Sequence, residues 1–136
     1  MCCAAALASL RKILREDLTR NAACLEPVLA GGLGKIQRAH PEFVGHVSAR
    51  GLVGGLQAVR CGSGAKKEPF HDLAHRIIEL CYQRGLLMFA PVGAWGQTVK
   101  IAPPLTTPRE ALEEGIAVLA EATRDAIGEF GGKLLA

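Results

Sequence analysis

Two histidines spaced four positions apart are the first residues whose types could support chemistry. His71 and His75 enclose Asp72 in a spacing that zinc-binding helices use, with Asp where such helices carry a catalytic Glu. On one helix face, both imidazoles can reach the same zinc ion. The shorter Asp72 side chain would hold a base farther from metal-bound water, and no third ligand is obvious downstream. A solvated helix face is the plainer interpretation, and a metal hydrolase is the alternative.

A glycine-rich stretch is a weaker candidate for phosphate binding. Gly31–Lys35 contains glycines before a lysine, as phosphate-binding loops do. However, Leu29 stands where the first glycine of such a loop would be, and Ile36 stands where Ser or Thr is needed. A helical pattern precedes the stretch rather than a strand. These departures argue against a phosphate loop.

Five cysteines give no recognisable nucleophile or metal site. Their number is odd, and their spacing matches no zinc or haem pattern. Without an identified His or Asn partner, core or surface thiols are the default interpretation. Reduced thiols in a cytoplasmic protein explain them plainly. The five positions are Cys2, Cys3, Cys24, Cys61 and Cys81.

Lys100 is the most informative ionisable residue. It lies in Gln97–Ala102, where alternation predicts a strand with Val99 facing the core and with Thr98 and Lys100 facing away. A glycine-bearing turn that contains Gly96 comes just before it. The pattern predicts one cation on the non-core face, able to bind a carboxylate or a phosphate. The alternative is a solvated strand lysine without a ligand.

The length, composition and net charge are those of an ordinary globular chain. Its 136 residues argue for one domain, and 49% apolar with 21% charged residues exclude a disordered composition. A net charge of +3 is too weak to indicate nucleic acid. No apolar stretch approaches the roughly 20 residues of a membrane span. The apolar N-terminus has no basic segment before it, so neither export nor a membrane partner is expected.

Periodicity and turn signals predict seven elements in the order helix, helix, strand, helix, strand, strand, helix, or ααβαββα. Pro27 and the glycines after it predict a kink or an interruption in the second helix. Thr107, Pro108 and Glu110 predict a capped start for the last helix. The elements are expected at 2–17, 18–38, 52–59, 70–84, 86–90, 97–102 and from 107 onward.

A sheet with helices packed on it is the economical arrangement for this order. We therefore predict an α/β fold (α+β, two-layer) in which a small sheet of about three strands packs with helices. One domain is expected over residues 1–130, followed by a frayed tail over residues 131–136.

Several segments, taken in order, resemble the C-terminal small domain of class III pyridoxal-phosphate-dependent aminotransferases, which are fold-type I enzymes. The block that runs from Arg84–Leu87 through Gly93 and Gly96 to Val99–Thr106 is the most recognisable, and the resemblance extends from residue 1 to about residue 127. Within the family, the chain is similar to 4-aminobutyrate and other omega-amino-acid aminotransferases. The matching segments are Met1–Leu10, Arg50–Leu56, Arg84–Leu87, Gly93, Gly96, Val99–Thr106 and Glu113–Ile116.

The resemblance implies a transaminase that uses pyridoxal phosphate to move an amino group from an amine or omega-amino acid to a 2-oxo acid. In the family, the Schiff-base lysine and the acid that pairs with the pyridinium come from the large domain, and no stretch here resembles either. The isolated chain is therefore expected to be inactive, without catalytic, cofactor-binding or metal residues of its own. Met1 falls inside a family motif, which leaves a gene fragment, a misplaced start and a split enzyme open.

Two departures from the family pattern affect the expected site. Ser48 and Ala49 stand where the family usually has Arg and Gly. Lys100 stands where members commonly carry the arginine that binds the substrate carboxylate. Lysine keeps the positive charge but loses the bidentate geometry of arginine. The resemblance thus implies substrate binding by Lys100, with Gly96 and Thr98 beside it.

The implied partners are the large pyridoxal-phosphate domain, a second copy in a homodimer, and amino-acid and 2-oxo-acid substrates. Apolar surface that packs on the large domain would be exposed in the isolated chain, which predicts self-association. Two further alternatives stay open. One is a non-catalytic module that binds an anionic ligand with Lys100. The other is a structural fragment without a ligand.

Overall fold

The chain folds into four helices that pack against a four-stranded antiparallel sheet. The computed structural model describes residues 2–62 and 66–134. The predicted fold class, α/β with a small sheet and packed helices, is confirmed. The elements are α1 (Cys2–Arg15), α2 (Leu18–Ala39), β1 (Val44–Arg50), β2 (Val53–Cys61), β3 (Lys67–Pro69), α3 (His71–Gln83), β4 (Thr98–Ile101) and α4 (Arg109–Leu134).

β2 is the central strand of the sheet. β1 and β4 both pair with Gly54–Gln57 of β2 in antiparallel register, so they lie on its two opposite edges. β3 pairs with the last residues of β2, Val59–Cys61. In register, Leu56 lies between Val47 of β1 and Val99 of β4, and all three side chains pack into the core. The opposite face of the same strands is consequently left for polar side chains.

α2 supplies the central row of the core. Leu25, Leu29 and Leu33 recur at helical spacing and are buried. Gly54 allows this row to approach β2 closely, because a Cβ there would lie 3.0 Å from Cδ1 of Leu33 and 3.2 Å from Cδ2 of Leu29. α4 packs against both α2 and α3 and covers the remaining side of the core.

α2 is continuous at Pro27, so the interruption that the sequence predicts as an alternative to a kink does not occur there. The helix runs through Pro27 without a break. A proline in a helix interior costs about 3 kcal/mol, whereas each buried leucine contributes about 1.5–3 kcal/mol, so the buried row outweighs the proline. The interruption lies instead between α1 and α2, where Asp17 has a left-handed backbone with φ of 46°.

The number and order of the strands also differ from the prediction. β1 and β3 lie in segments expected to be loops, whereas residues 86–90, expected to be a strand, form none. The observed order is ααβββαβα instead of ααβαββα. β1 interleaves Gly45, His46 and Ser48 with its apolar residues, so its propensity is weak, and pairing with β2 makes it a strand.

The two terminal helices differ in how they pack. α1 has no buried residue, although it carries several leucines. α4 continues to Leu134, so Gly131 and Gly132 of the expected tail lie within its helical backbone. Residues 135 and 136 of that tail lie outside the described part of the chain. None of the described helices is long and apolar enough to cross a bilayer.

Candidate functional site

The local fold brings the ammonium group of Lys100 to the edge of the sheet. Val99 is buried on the core face of β4, so Lys100 points away from the core and is exposed. Its Nζ lies 5.6 Å from the ring centroid of Phe89. At this distance a cation is attracted to the face of an aromatic ring. The lysine therefore lies where the alternation of the sequence predicts, with an aromatic neighbour.

Thr98 begins β4 on the same face as Lys100. Its backbone N–H donates to the Val92 carbonyl and its carbonyl accepts from the Val92 N–H, both at 2.9 Å. On its other side, Thr98 is in register with Gln57 of β2. These bonds close the turn before β4 and fix the strand that carries both side chains. Thr98 is half-buried, so part of it stays accessible.

Gly96 determines how the turn approaches α3. Its φ of 60° is a left-handed conformation that side-chain-bearing residues rarely adopt. A Cβ at this position would lie 2.5 Å from Cδ2 of His71, the first residue of α3. The turn thus packs directly on α3. The conformation of Gly96 sets the direction in which β4 leaves the turn.

A cavity of about 510 Å³ opens beside Lys100. Its walls are residues 86–89, residues 101–104 and one face of α4. Leu29, Leu112 and Leu119 form its buried part. Among the described residues that line the cavity, Lys100 is the one that carries a charge. This arrangement can bind an anionic group at the rim while apolar walls exclude water behind it.

Phe89 is the residue of this site that the sequence does not identify. It belongs to the segment that is predicted as a buried strand. In the structure Leu86 and Met88 pack against the core, whereas Leu87 and Phe89 are exposed. All four side chains are apolar, so the sequence gives no sign of which of them face outward. The contact with Lys100 therefore becomes visible only in three dimensions.

The two histidines of α3 lie side by side on an exposed helix face. The rings of His71 and His75 are nearly parallel, with centroids 6.1 Å apart. Each Nδ1 lies 3.5 Å from a carboxylate oxygen, of Asp72 and Glu79 respectively. Within residues 2–62 and 66–134, no three potential ligands are grouped closely enough to hold a metal ion. The geometry therefore gives no support to a metal hydrolase.

The remaining sequence candidates fall within regular structure. Gly31–Lys35 lies inside α2, whose backbone N–H groups bond within the helix and are not free to cradle a phosphate. Cys81 is buried, and burial raises the pKa of its thiol to about 11, which keeps it neutral and unreactive. Cys61 is exposed at the end of β2.

Comparison with known proteins identifies the family. A family model described as class III aminotransferase matches residues 1–123. The chain belongs to the class III aminotransferase family. The matched region contains Lys100, Thr98 and Gly96, and it confirms the resemblance noted in the sequence.

The chain spans about a quarter of the length of the curated relatives it matches. Leucine/methionine racemase of Thermococcus litoralis is 32% identical over 121 residues, which are 89% of this chain and 26% of the relative. The 4-aminobutyrate aminotransferase of Mycobacterium leprae is 28% identical over 123 residues, covering 90% of this chain and 26% of that protein. The omega-transferase of Vibrio fluvialis JS17 superposes with a TM-score of 0.80 at 26% identity, over 96% of this chain and 30% of that one.

Class III aminotransferases are pyridoxal-phosphate enzymes, yet the described residues do not form a site for that cofactor by themselves. The cavity beside Lys100 has no carboxylate among its described lining residues. A lysine and a carboxylate, Lys35 and Glu113, line a second groove of about 560 Å³ between α2 and α4. The glycines of that groove belong to α2, whose bonded amides cannot hold a phosphate.

Proposed function

We propose that this chain is the portion of a class III transaminase that binds the substrate carboxylate. The complete enzyme transfers an amino group from an amine or an omega-amino acid, such as 4-aminobutyrate, to a 2-oxo acid. The isolated chain binds substrate but is inactive, because the cofactor lysine is supplied by another part of the enzyme. The observation that carries this proposal is that Lys100, exposed on β4, is the one charged residue among the described lining residues of an apolar cavity within the matched family domain.

Lys100 acts in this proposal as a point charge for the carboxylate. An ammonium group forms strong charge-assisted hydrogen bonds with a carboxylate but cannot form the two parallel bonds that arginine forms. Thr98 and the turn at Gly96 hold the strand in place, so the backbone position from which the Lys100 side chain extends is fixed by the protein.

We also propose partner domains and a cellular compartment for this chain. The relatives extend well beyond the matched segment, which supports a larger domain that packs against this one. We propose a homodimer of the completed enzyme, as the family resemblance implies. The cytoplasm is the proposed compartment, because four of the described cysteines are free and exposed, as suits a reducing environment.

The test combines this chain with a separately produced large domain of a class III aminotransferase and pyridoxal phosphate. Transamination between 4-aminobutyrate and 2-oxoglutarate should appear only in the mixture. Lys100→Ala should raise KM for 4-aminobutyrate about 10-fold to 100-fold, the range expected for loss of a charged hydrogen bond. KM for an amine donor without a carboxylate should stay the same.

Two control variants make that test specific. Lys100→Arg keeps the charge and should retain most activity. Lys67→Ala removes an exposed lysine of β3, far along the sheet, and should change nothing. Absence of transamination in the mixture, or equal effects of Lys100→Ala and Lys67→Ala on KM for 4-aminobutyrate, would contradict the proposal.

Racemisation of an amino acid is a second candidate activity for the completed enzyme. It is supported by the 32% identity to a protein named leucine/methionine racemase over 89% of this chain. The same mixture, supplied with L-leucine and no 2-oxo acid, distinguishes the two. Formation of D-leucine would favour a racemase, whereas product that forms only when a 2-oxo acid is added would favour a transaminase. Chiral chromatography measures both outcomes.

A further inference from the structure

We infer that Asn21 is a positioning residue for Lys100 and acts through the segment that joins β4 to α4. This segment, residues 102–108, is called the β4–α4 loop below. Asn21 lies in the first turn of α2 and does not itself line the cavity beside Lys100. The inference rests on the proposed carboxylate role of Lys100, and it adds a residue that the sequence places far from that lysine.

The side-chain amide of Asn21 binds two backbone carbonyls of the β4–α4 loop. Its Nδ2 donates to the Leu105 carbonyl at 2.8 Å and to the Thr107 carbonyl at 3.1 Å. An asparagine amide nitrogen carries two hydrogens, so each carbonyl receives one of them. Asn21 is half-buried and reaches a residue that lies 84 positions later in the chain. One side chain of α2 thus holds the loop at two points.

The β4–α4 loop has little backbone hydrogen bonding with which to hold itself. Pro103, Pro104 and Pro108 have no N–H group to donate. The Thr107 N–H donates to the Pro104 carbonyl at 3.0 Å and closes a turn, but this bond ties the loop to itself. The two bonds from Asn21 tie the loop to α2, and they therefore limit where the end of β4 can lie.

Lys100 is close to the part of β4 that depends on this tether. The ladder of β4 with β2 ends at the pair of Ile101 and Gly54, and Lys100 pairs with Gly55 just before it. The ends of an element open most readily, and the prolines that follow cannot extend the ladder. Residues 102–104 also line the cavity beside Lys100. Release of the loop should therefore loosen the strand end from which the lysine extends.

Gln37 provides a matched comparison on the same helix. Its Nε2 donates to the Gly45 carbonyl of β1 at 3.1 Å, again from a side-chain amide of α2 to a backbone carbonyl. β1 pairs with the edge of β2 opposite to β4. A general stabilising role predicts that loss of either amide has the same consequences. A positioning role predicts that Asn21 alone affects the use of Lys100.

The first experiment exchanges each amide for a carboxylate of the same size, which cannot donate. Asn21→Asp and Gln37→Glu are assayed with the large domain, pyridoxal phosphate and saturating 2-oxoglutarate. Asn21→Asp should raise KM for 4-aminobutyrate about 3-fold to 10-fold, less than Lys100→Ala, and should hardly change kcat. KM for an amine donor without a carboxylate should stay the same, because that donor does not use Lys100.

Gln37→Glu should leave KM for both donors unchanged, even if it lowers stability as much as Asn21→Asp does. Equal KM values for 4-aminobutyrate in the two variants would overturn the inference. So would an Asn21→Asp variant in which KM rises equally for both donors, because the site would then be disturbed as a whole.

Amide hydrogen exchange of the full chain without the large domain tests the step from the loop to the strand. Asn21→Asp should reduce the protection of the β4 amides and leave that of the β1 amides unchanged. Gln37→Glu should leave the protection of β4 unchanged. If a charged variant does not fold, Asn21→Ala and Gln37→Ala remove the same donors without adding a charge. Unchanged protection of β4 after loss of the Asn21 amide would overturn the inference.

The inference and the proposed function can fail separately. A Lys100→Ala variant with an unchanged KM for 4-aminobutyrate would remove the proposed function, and hydrogen exchange would still report whether Asn21 holds β4. A raised KM in Lys100→Ala, combined with identical behaviour of Asn21→Asp and Gln37→Glu, would keep the proposed function and remove the positioning role.

Discussion

At the scale of single residues, the buried thiol of Cys81 makes stability depend on pH. Burial in the core raises its pKa from about 9 to about 11, and the nearby Arg84 opposes this only in part. The folded protein therefore keeps the proton more tightly than the unfolded chain does. The contribution to stability is fully present below pH 9 and is lost as the pH rises towards 11.

The measurement is urea unfolding between pH 8 and pH 11. One proton of difference corresponds to a slope of at most about 1.4 kcal/mol per pH unit in the free energy of unfolding. Cys81→Ala should remove that part of the slope, although the lost packing also lowers stability overall. Cys61→Ala, at an exposed thiol, should keep the slope of the unsubstituted protein. Equal slopes for the unsubstituted protein and Cys81→Ala would contradict the prediction.

For single residues of the site, the sequence predicts the position of Lys100 but not its aromatic neighbour or the cavity. Lys100 is placed correctly on the outer face because its neighbour Val99 is a clear core residue, and a strand sends the two to opposite sides. Phe89 and the cavity are not predictable in the same way. They depend on how the segment after α3 and the start of α4 meet beside β4, which no local pattern encodes.

At the scale of elements, the close approach of α2 to β2 depends on Gly54. Its neighbour Gly55 lies on the other face, where a Cβ would be 3.4 Å from Cγ2 of Thr98. Gly54→Ala should lower the free energy of unfolding by about 1–3 kcal/mol, because the added methyl group overpacks the leucines of α2. Gly55→Ala should be neutral or slightly stabilising, since glycine is itself unfavourable within a strand.

Chemical denaturation of the two alanine variants measures this difference, and the pair shares sequence context and chemistry. The prediction requires the Gly54 variant to be the less stable of the two by at least about 1 kcal/mol. Equal stability of the two variants would mean that α2 can move away from the sheet at little cost.

Elements differ in how well the sequence predicts them, for physical reasons. α3 and α4 follow from their amphipathic periodicity, and both begin close to the expected residues. β1 is missed because Gly45, His46 and Ser48 weaken its propensity, and tertiary contacts, its ladder with β2 and the packing of Val44 in the core, make it a strand. Residues 86–90 fail in the opposite way, since their apolar run predicts a buried strand but the segment joins no strand of the sheet.

At the scale of the whole molecule, an apolar stripe lies open on α1. Leu7, Leu10 and Leu14 recur along one face of the helix, and Leu14 is 81% exposed. Leu87, Phe89 and Trp95 add exposed apolar surface elsewhere. Contiguous apolar surface of this kind marks regions that associate with another protein surface. In a chain that spans a quarter of its relatives' length, the larger domain of the proposed enzyme is the expected partner of such surface.

The isolated chain should therefore self-associate, and α1 should be the main cause. Sedimentation velocity at tens of micromolar protein should show species heavier than the 14.4 kDa monomer. A triple variant, Leu7→Gln with Leu10→Gln and Leu14→Gln, should shift the protein towards monomer. Its thermal unfolding should hardly change, because α1 contributes no buried residue to the core. Tyr82→Gln, at an exposed residue of α3, is the control and should still associate. A triple variant that associates as strongly as the control would show that the interface lies elsewhere than on α1.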